Sequence, residues 1–502
     1  TASYPASWHP PIPSFEALPY EISLMDLRLL LFVAATALAN LAQAVPVRHP
    51  SLLAESGRRA NSLSPPQSVS QPKVDFTEQG DASGMAATAV QIVNNVAGAG
   101  ILTLSAGMSA GVGWVPASAL CLMMGAISGY TFYVLGKSCE MTGETTFKGL
   151  WSRTLGTGSS WVVDASVALM CLSAATIYSG ILGDVITQLL RLTVLPPAFN
   201  IRGANILTIT AAALVPLSLL KDLSALSVTS MIGCIAVLYT AVFISIRALD
   251  GSYSLPTEAS RAAGDMAGRL LGSVTPGLEP CFMLASRWRL DSNALVLSSN
   301  LGLAYIAHYN APAFYKTLQR RSPRRFAVVV TGAFSVLAVL YTSIMLLGHS
   351  TFGDNAASNL LRNYAQTDLL AILGRLATGV SILFGYPLAM VGLRDSSISM
   401  LSTLAESDTL PESSVILLRS IVDRPSAVTL CFLSIISCVA ILVQDIGLVV
   451  GISGAVLGAS IVYIYPALIY GCVSGQPLCS PIYLLVPLGI FLGVLGVWQT
   501  LK

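Results

Sequence analysis

Apolar runs long enough to cross a bilayer recur from residue 85 to residue 499, and this recurrence decides which solvent the chain folds in. Hydropathy divides the stretch into eleven segments, at about 85–109, 114–136, 160–188, 204–220, 224–247, 295–316, 326–348, 369–394, 426–444, 447–471 and 481–499. A membrane helix needs about 20 residues and a membrane strand only about 10, so runs of this length predict helices and argue against a β-barrel. Asp, Glu, Lys and Arg make up only 10% of the 502 residues, against about 25% in a soluble domain. That is too little charge for a water-facing surface. The reading is an all-α polytopic membrane protein with 11 transmembrane helices, and a soluble multidomain enzyme is excluded.

The formal net charge of +2 gives no whole-chain attraction to nucleic acid. Nine cysteines occur with no CxxC pair and only four histidines beside them, so they read mostly as small apolar core residues; no cofactor or metal is expected beyond a coupling ion. Residues 1–82 form a separate leader and polar amino region, and 83–500 the membrane domain. From Met25 the chain reads MDLRLLLFVAATALANLAQAVP, with Arg28 as a basic flank and Ala42-Gln43-Ala44 as a cleavage pattern. Residues 29–44 are thus a processed leader or a retained span. Residues 45–82 are rich in Ser and Pro and predict an extended tail. The stretch 268–286 is interrupted by Pro276, Gly277 and Pro280 and reads as an interfacial or loop segment.

Orientation comes from Lys316, Arg320, Arg321, Arg324 and Arg325, which crowd the connection between the sixth and seventh segments. Short basic loops stay on the side from which insertion occurs, so this loop is expected to be cytoplasmic or on the equivalent face. Counting back places residues 45–82 on the same face, and Lys137, Lys148 and Arg153 agree. A simply cleaved secretory leader would put the amino end on the other side, a conflict that the sequence leaves open.

The first segment contains Asn94-Asn95-Val96-Ala97-Gly98-Ala99-Gly100-Ile101-Leu102. Glycines in mid-span permit either close helix packing or an unwound stretch whose freed amides and carbonyls meet a ligand. Five segments later, Tyr305, His308, Tyr309 and Asn310 precede Pro312, which cannot donate to a helix ladder. His308 reads either as a satisfied packing residue or as part of a polar route. Paired interruptions in a first and a sixth helix are the arrangement that an inverted-repeat transporter requires. Asp164, Asp184, Arg375, Arg394 and Asp445 also fall within or beside the spans, with Asp164 and Asp445 as candidates for proton or gate chemistry. Gly451-Ile452-Ser453-Gly454-Ala455 lacks the Lys-Ser/Thr ending of a phosphate loop and predicts tight packing instead.

Three ordered motifs, NNVAGAGIL, LAYIAHYNAPAFYKTLQRRSPRR and GISGAVLGASIVYIYPALIYG, resemble the amino acid/auxin permease family, particularly its sodium-coupled neutral amino acid transporters, over about 85–499. The resemblance implies a 5+5 inverted repeat (LeuT-like) plus one extra helix. It also implies secondary active transport of small neutral amino acids by alternating access, coupled to sodium or protons, by a monomeric unit in the lipid bilayer. On that reading the backbone at Ala97, Gly98, Ala99, Gly100 and Ile101 holds the substrate carboxylate, while Ala304, Tyr305 and His308 line the side-chain pocket. Asn94 occupies the family's cation-binding Asn position. Its partner hydroxyl in the eighth helix falls on Gly385, and Ser381 lies one turn away as a substitute, which leaves a proton as the other coupling ion. An amino acid-sensing transceptor with little flux is the rival reading. A channel is disfavoured because no charged ring or filter is visible, and an enzyme because no catalytic cluster is. Plasma, vacuolar or endolysosomal, and plastid membranes all remain open.

Overall fold

The computed structural model describes residues 83–502 apart from 110, 194–195, 197–199, 220–225, 254–287, 407–410 and 478. The leader, the tail at 45–82 and the segment 268–286 therefore lie outside the described residues. The described chain is helical, and its only β-type pairing is one isolated bridge between Ser83 and Leu318.

Eight described helices are long and apolar enough to cross a membrane, and a ninth span is formed by a pair bent by 52°. That pair is α1 (Met85–Val96) and α2 (Leu104–Ser109), joined by a 3-10 helix over Ala99–Thr103. The chain continues through α3 (Trp114–Thr142), the short α4 (Phe147–Leu155) and α5 (Trp161–Leu190). The predicted segment 204–220 is α6 (Arg202–Ile209) and α7 (Val215–Ser218) with a π-helical turn between them. Pro216 supplies the reason: lacking an N–H, it cannot continue the regular ladder, and the preceding turn widens. Then come α8 (Leu226–Leu249) and the second interrupted segment, α9 (Ala294–Ala304) and α10 (Ala311–Thr317). Here Pro312 stands in the first turn of α10, where a missing N–H costs nothing. The remainder is α11 (Pro323–Phe352), α12 (Leu369–Ala405), α13 (Glu412–Val422), α14 (Pro425–Leu442), α15 (Ile446–Ser453), α16 (Tyr465–Val473) and α17 (Leu485–Thr500).

Helices five segments apart pack in pairs: the α1/α2 segment with α9, α3 with α11, α5 with α12, and α6 with α14. This is the contact pattern that an inverted repeat produces. The predicted small-residue packing in the tenth segment is present, since Gly454 and Gly458, in the π-helical stretch Gly454–Ile464, lie directly against the backbone of Ser299 and Gly302. The cysteines divide differently from the expectation. Cys121, Cys139 and Cys171 are buried, but Cys431, Cys438, Cys472 and Cys479 are exposed on the outer surface, where a thiol is apolar enough to meet lipid.

The charged residues within the spans are hydrogen-bonded locally, and three of them in ion pairs. Asp164 pairs with Lys148 at 2.6 Å, and that ammonium also donates to Ser399 and Thr403. Asp184 accepts from Arg202 and Asn359. The Arg375 guanidinium donates to the carbonyls of Leu361, Tyr364 and Ala365. Arg394 pairs with Asp395 at 2.9 Å, and Asp445 caps α15 through the Gly447 amide while accepting from Ser358. None of these side chains lines the central cavities described below.

Candidate functional site

The regular ladder of α1 ends when Ala97 turns to φ −74°, ψ 64° and Gly98 to an extended ψ of −163°. Ala97 and Gly98 still donate to the Val93 and Val96 carbonyls, at 2.8 and 2.7 Å, and the first amides of the following 3-10 helix, at Ala99 and Gly100, lie beyond the end of that ladder. In the sixth segment α9 ends at Ala304, and Ala307 has an extended φ of −155° before His308–Asn310 forms a 3-10 turn.

The two breaks face each other. A Cβ on Gly100 would lie 3.4 Å from the Ala304 Cα, so the two backbones stand about one van der Waals contact apart. Asn310 Nδ2 donates to Asn95 Oδ1 across the gap at 3.2 Å. The hydroxyl of Tyr341, on α11, lies 2.9 Å from the Val96 carbonyl and 2.8 Å from the Ala304 carbonyl, donating to both. One fully buried phenol thus bridges a carbonyl at each break, and the Val96 carbonyl also accepts from the Gly98 amide at 2.7 Å.

A cavity of about 370 Å³ lies against these breaks, within the range of small-molecule sites. Gly98, Gly100, Ala304 and Ile306 bring backbone to it, Met170 and Tyr178 close it from α5, and Gly385 and Leu388 from α12. Gln91, Ala313 and Phe314 extend its lining toward the face where Ser83 pairs with Leu318 in the basic loop. On the other side of the breaks the structure is packed shut. Ser105 donates to the Ile344 carbonyl at 3.0 Å, Asn300 to the Thr103 carbonyl at 3.3 Å, and Gly107 lies against Asn300 and Leu297.

A smaller recess of about 50 Å³ adjoins it, with Asn94, Gly98, Tyr178 and Gly385 shared between the two. Asn94 Oδ1 and Ser381 Oγ converge on one point: a Cβ built on Gly233 would lie 2.6 Å from the first and 3.4 Å from the second. Thr240 and Thr378, whose hydroxyls are 3.2 Å apart, also line it.

Residues 81–501 match the family described as transmembrane amino acid transporter protein. The chain belongs to that family. A similar protein from Danio rerio, provisionally named sodium-coupled neutral amino acid transporter 11, is 21% identical over 425 residues, covering 83% of this chain and 86% of that protein. Vacuolar amino acid transporter 5 of Schizosaccharomyces pombe is 24% identical over 394 residues, 77% of this chain and 84% of that one. A solved sodium-coupled sialic acid symporter in a substrate-bound outward-open state is 11% identical and aligns over 95% of this chain and 96% of its own, with a TM-score of 0.47. The protein is a multi-pass membrane amino acid transporter.

Within this transporter the sequence-predicted residues separate into two groups. Asn94, Gly98, Gly100 and Ala304 line the 370 Å³ cavity; Ala97, Ile101 and Ser381 line the smaller recess; and the backbone of Ala99 opens the 3-10 helix beside them. Tyr305 and His308 are placed elsewhere. Tyr305 is fully buried with its hydroxyl on the Cys121 carbonyl at 3.3 Å. His308 Nε2 lies 2.9 Å from Thr131 Oγ1 and 3.1 Å from the Ser128 carbonyl, with its ring edge-on to Phe132. Both side chains point into α3, so of the two readings of His308 the geometry matches packing. Neighbours of His308 take over the lining: Ile306, Tyr309 and Asn310 face the cavity.

Sequence reasoning missed Tyr341 and Tyr178. Tyr341 continues the buried stripe of Phe334, Leu337 and Ala338 along α11 at helical spacing, so a hydroxyl on a core-facing stripe was the available signal. Tyr178 lies over Gly98, with its hydroxyl 2.9 Å from where a Cβ there would be.

Proposed function

We propose that this transporter carries small neutral amino acids by alternating access, coupled to sodium, and that the structure is its form facing the basic loop. The observation that carries the reading is the 370 Å³ cavity set between two broken helices and sealed on the side away from that loop. The backbone from Ala97 to Ile101 holds the substrate carboxylate through the Ala99 and Gly100 amides at the start of the 3-10 helix, which present partial positive charge, since the amides of Ala97, Gly98 and Ile101 already donate to backbone carbonyls. Carbonyls at the break in the sixth segment receive the ammonium group. Among the described lining residues there is no Asp, Glu, Lys or Arg, so a charged substrate side chain would lose its hydration without gaining a partner.

Coupling to sodium is favoured by the same inventory. Asn94, Ser381, Thr240 and Thr378 offer neutral oxygens, the donor chemistry that suits a hard monovalent cation, with Asn94 and Ser381 as its principal ligands. The described lining of the recess has no carboxylate or imidazole to carry a proton. Counterflow of a labelled amino acid panel by purified protein in liposomes, with imposed sodium or proton gradients, tests both parts. Exchange of neutral amino acids driven by sodium is expected. No exchange of any amino acid under either gradient would overturn the transport reading, and proton-driven exchange indifferent to sodium would overturn the coupling.

A further inference from the structure

A second large cavity, of about 580 Å³, lies between α3 and α11 away from the substrate site. Leu122, Tyr130 and Tyr133 line it from α3, and Thr331, Ser335 and Val339 from α11. Leu122 is 50% exposed, Tyr130 48% and Val339 66%, so the groove opens on the outer surface of two spanning helices, where the solvent is lipid.

The glycines of α3 are already occupied from within. A Cβ on Gly125 would lie 2.8 Å from the Tyr305 hydroxyl, one on Gly129 3.2 Å from Phe334, and one on Gly136 directly against Phe326. These contacts seat the chain's own helices against one another. They also fix the register: Gly136 stands level with Phe326, so Lys137 and Arg324 stand at nearly the same height, at the basic-loop end of the groove. Tyr130, Tyr133 and Lys137 share one face of α3, and Arg324, Ala327, Thr331 and Ser335 share one face of α11, by i+3 and i+4 steps.

Neither cation is neutralised there. Lys137 Nζ donates to the Tyr470 hydroxyl at 2.6 Å and lies 5.0 Å from that ring's centre, and no carboxylate pairs with it or with Arg324 among the described residues. The neighbouring Glu140 is engaged by the Tyr315 hydroxyl at 2.6 Å. Lys137 and Arg324 stand one turn beyond the lining residues Tyr133 and Ala327, so an apolar groove between two spanning helices has two cations without carboxylate partners near its basic-loop end, a match in shape and charge for one kind of molecule.

We propose that this groove is a binding site for an anionic glycerophospholipid, its acyl chain between α3 and α11 and its phosphate on Lys137 and Arg324. The test uses the full chain in neutral detergent, titrated in parallel with dioleoyl phosphatidylglycerol, dioleoyl phosphatidylcholine and inorganic phosphate. Thermal unfolding and native mass spectrometry provide the readouts. Phosphatidylglycerol should remain bound and raise the unfolding midpoint, while the zwitterionic lipid and phosphate should do neither. Lys137→Gln combined with Arg324→Gln should abolish the difference between the two lipids, and Thr331→Trp, which fills an exposed wall of the groove, should reduce retention of lipid. Should the Trp variant fail to fold, Ser335→Phe fills the same wall. Equal retention of the two lipids by the unaltered protein would overturn the proposal, as would a phosphatidylglycerol preference that survives the double substitution. Stabilisation by phosphate alone, or a dimer that the Trp variant disrupts in place of lipid retention, would equally refute it.

Discussion

Replacing Tyr341 by Phe removes one oxygen and leaves the ring that packs against Tyr305 in place. In the native structure that hydroxyl lies 2.9 Å from the Val96 carbonyl and 2.8 Å from the Ala304 carbonyl. One hydrogen is shared between two acceptors, so the lost bonding corresponds to one donor rather than two. The Val96 carbonyl keeps the Gly98 amide at 2.7 Å, so the loss falls chiefly on the Ala304 carbonyl, and a buried acceptor left without its donor costs about 1–3 kcal/mol. Because Tyr341 is fully buried, solvent reaches its position only after local opening. Both carbonyls belong to residues that frame the substrate cavity, so the deficit is expected to fall on the positions of the two breaks. If about half of that energy is expressed in substrate binding, KM for amino acid uptake should rise about twofold to tenfold, with a smaller loss of maximal rate. Uptake by Tyr341→Phe in liposomes, with thermal unfolding of the same preparation, measures both consequences. A variant with unaltered KM, rate and midpoint would show that the breaks hold their geometry without the bridge.

Three further outcomes follow from the geometry. A Cβ on Gly385 meets nothing within 4 Å, so Gly385→Ser fits and returns a hydroxyl to the edge of the recess; the sodium concentration for half-maximal uptake should fall by about tenfold, whereas Asn94→Ala should raise it. His308→Phe should cost no more than about 1 kcal/mol in thermal stability, because Thr131 Oγ1 still donates to the Ile127 and Ser128 carbonyls, and should leave substrate KM unchanged; a shifted KM would return His308 to the cavity. Burial alone would raise the pKa of Asp368, but hydrogen bonds from Arg247 and Tyr253 outweigh it and hold the carboxyl below its ordinary value of 3.8. A depressed folded-state value means that its stabilisation is complete above that ordinary value and is lost only as pH falls further. The unfolding midpoint should therefore be insensitive to this group from pH 7 to 5, and Asp368→Asn should lower it across that window by leaving the buried Arg247 with Asp250 alone, a loss of about 3 kcal/mol.

The spans were legible because hydrophobic length is a local property, and the first break because glycines in mid-helix are a local anomaly. Of the other two interrupted segments, α6/α7 carried its cause in Pro216, while in α9/α10 Pro312 marked where the helix restarts. What local reading could not supply was direction. A polar residue in mid-span announces that it has a partner but not on which side the partner lies, and His308 turns into α3 while Tyr309 and Asn310, one and two residues on, face the cavity. Tyr341 was invisible for a related reason: its acceptors lie 245 and 37 residues away, and only the fold brings them together. The charged residues Asp164, Asp184 and Asp445 drew attention as isolated charges. Each finds a local or cross-helix partner that pattern alone did not show.

The pairing of Ser83 with the basic loop bears on how the cavity mouth can widen. Ser83 donates to the Thr317 carbonyl and accepts from the Gln319 amide, both at 2.9 Å, which joins the entrance of α1 to the exit of α10. Two of the walls around the substrate are thereby fastened at their rim into one plate. The facing wall is α5 with α12, a closely packed pair of its own. Any change of aperture that keeps the fastening must pass between these two plates, and as long as the fastening holds, motion of the first helix carries the sixth along with it.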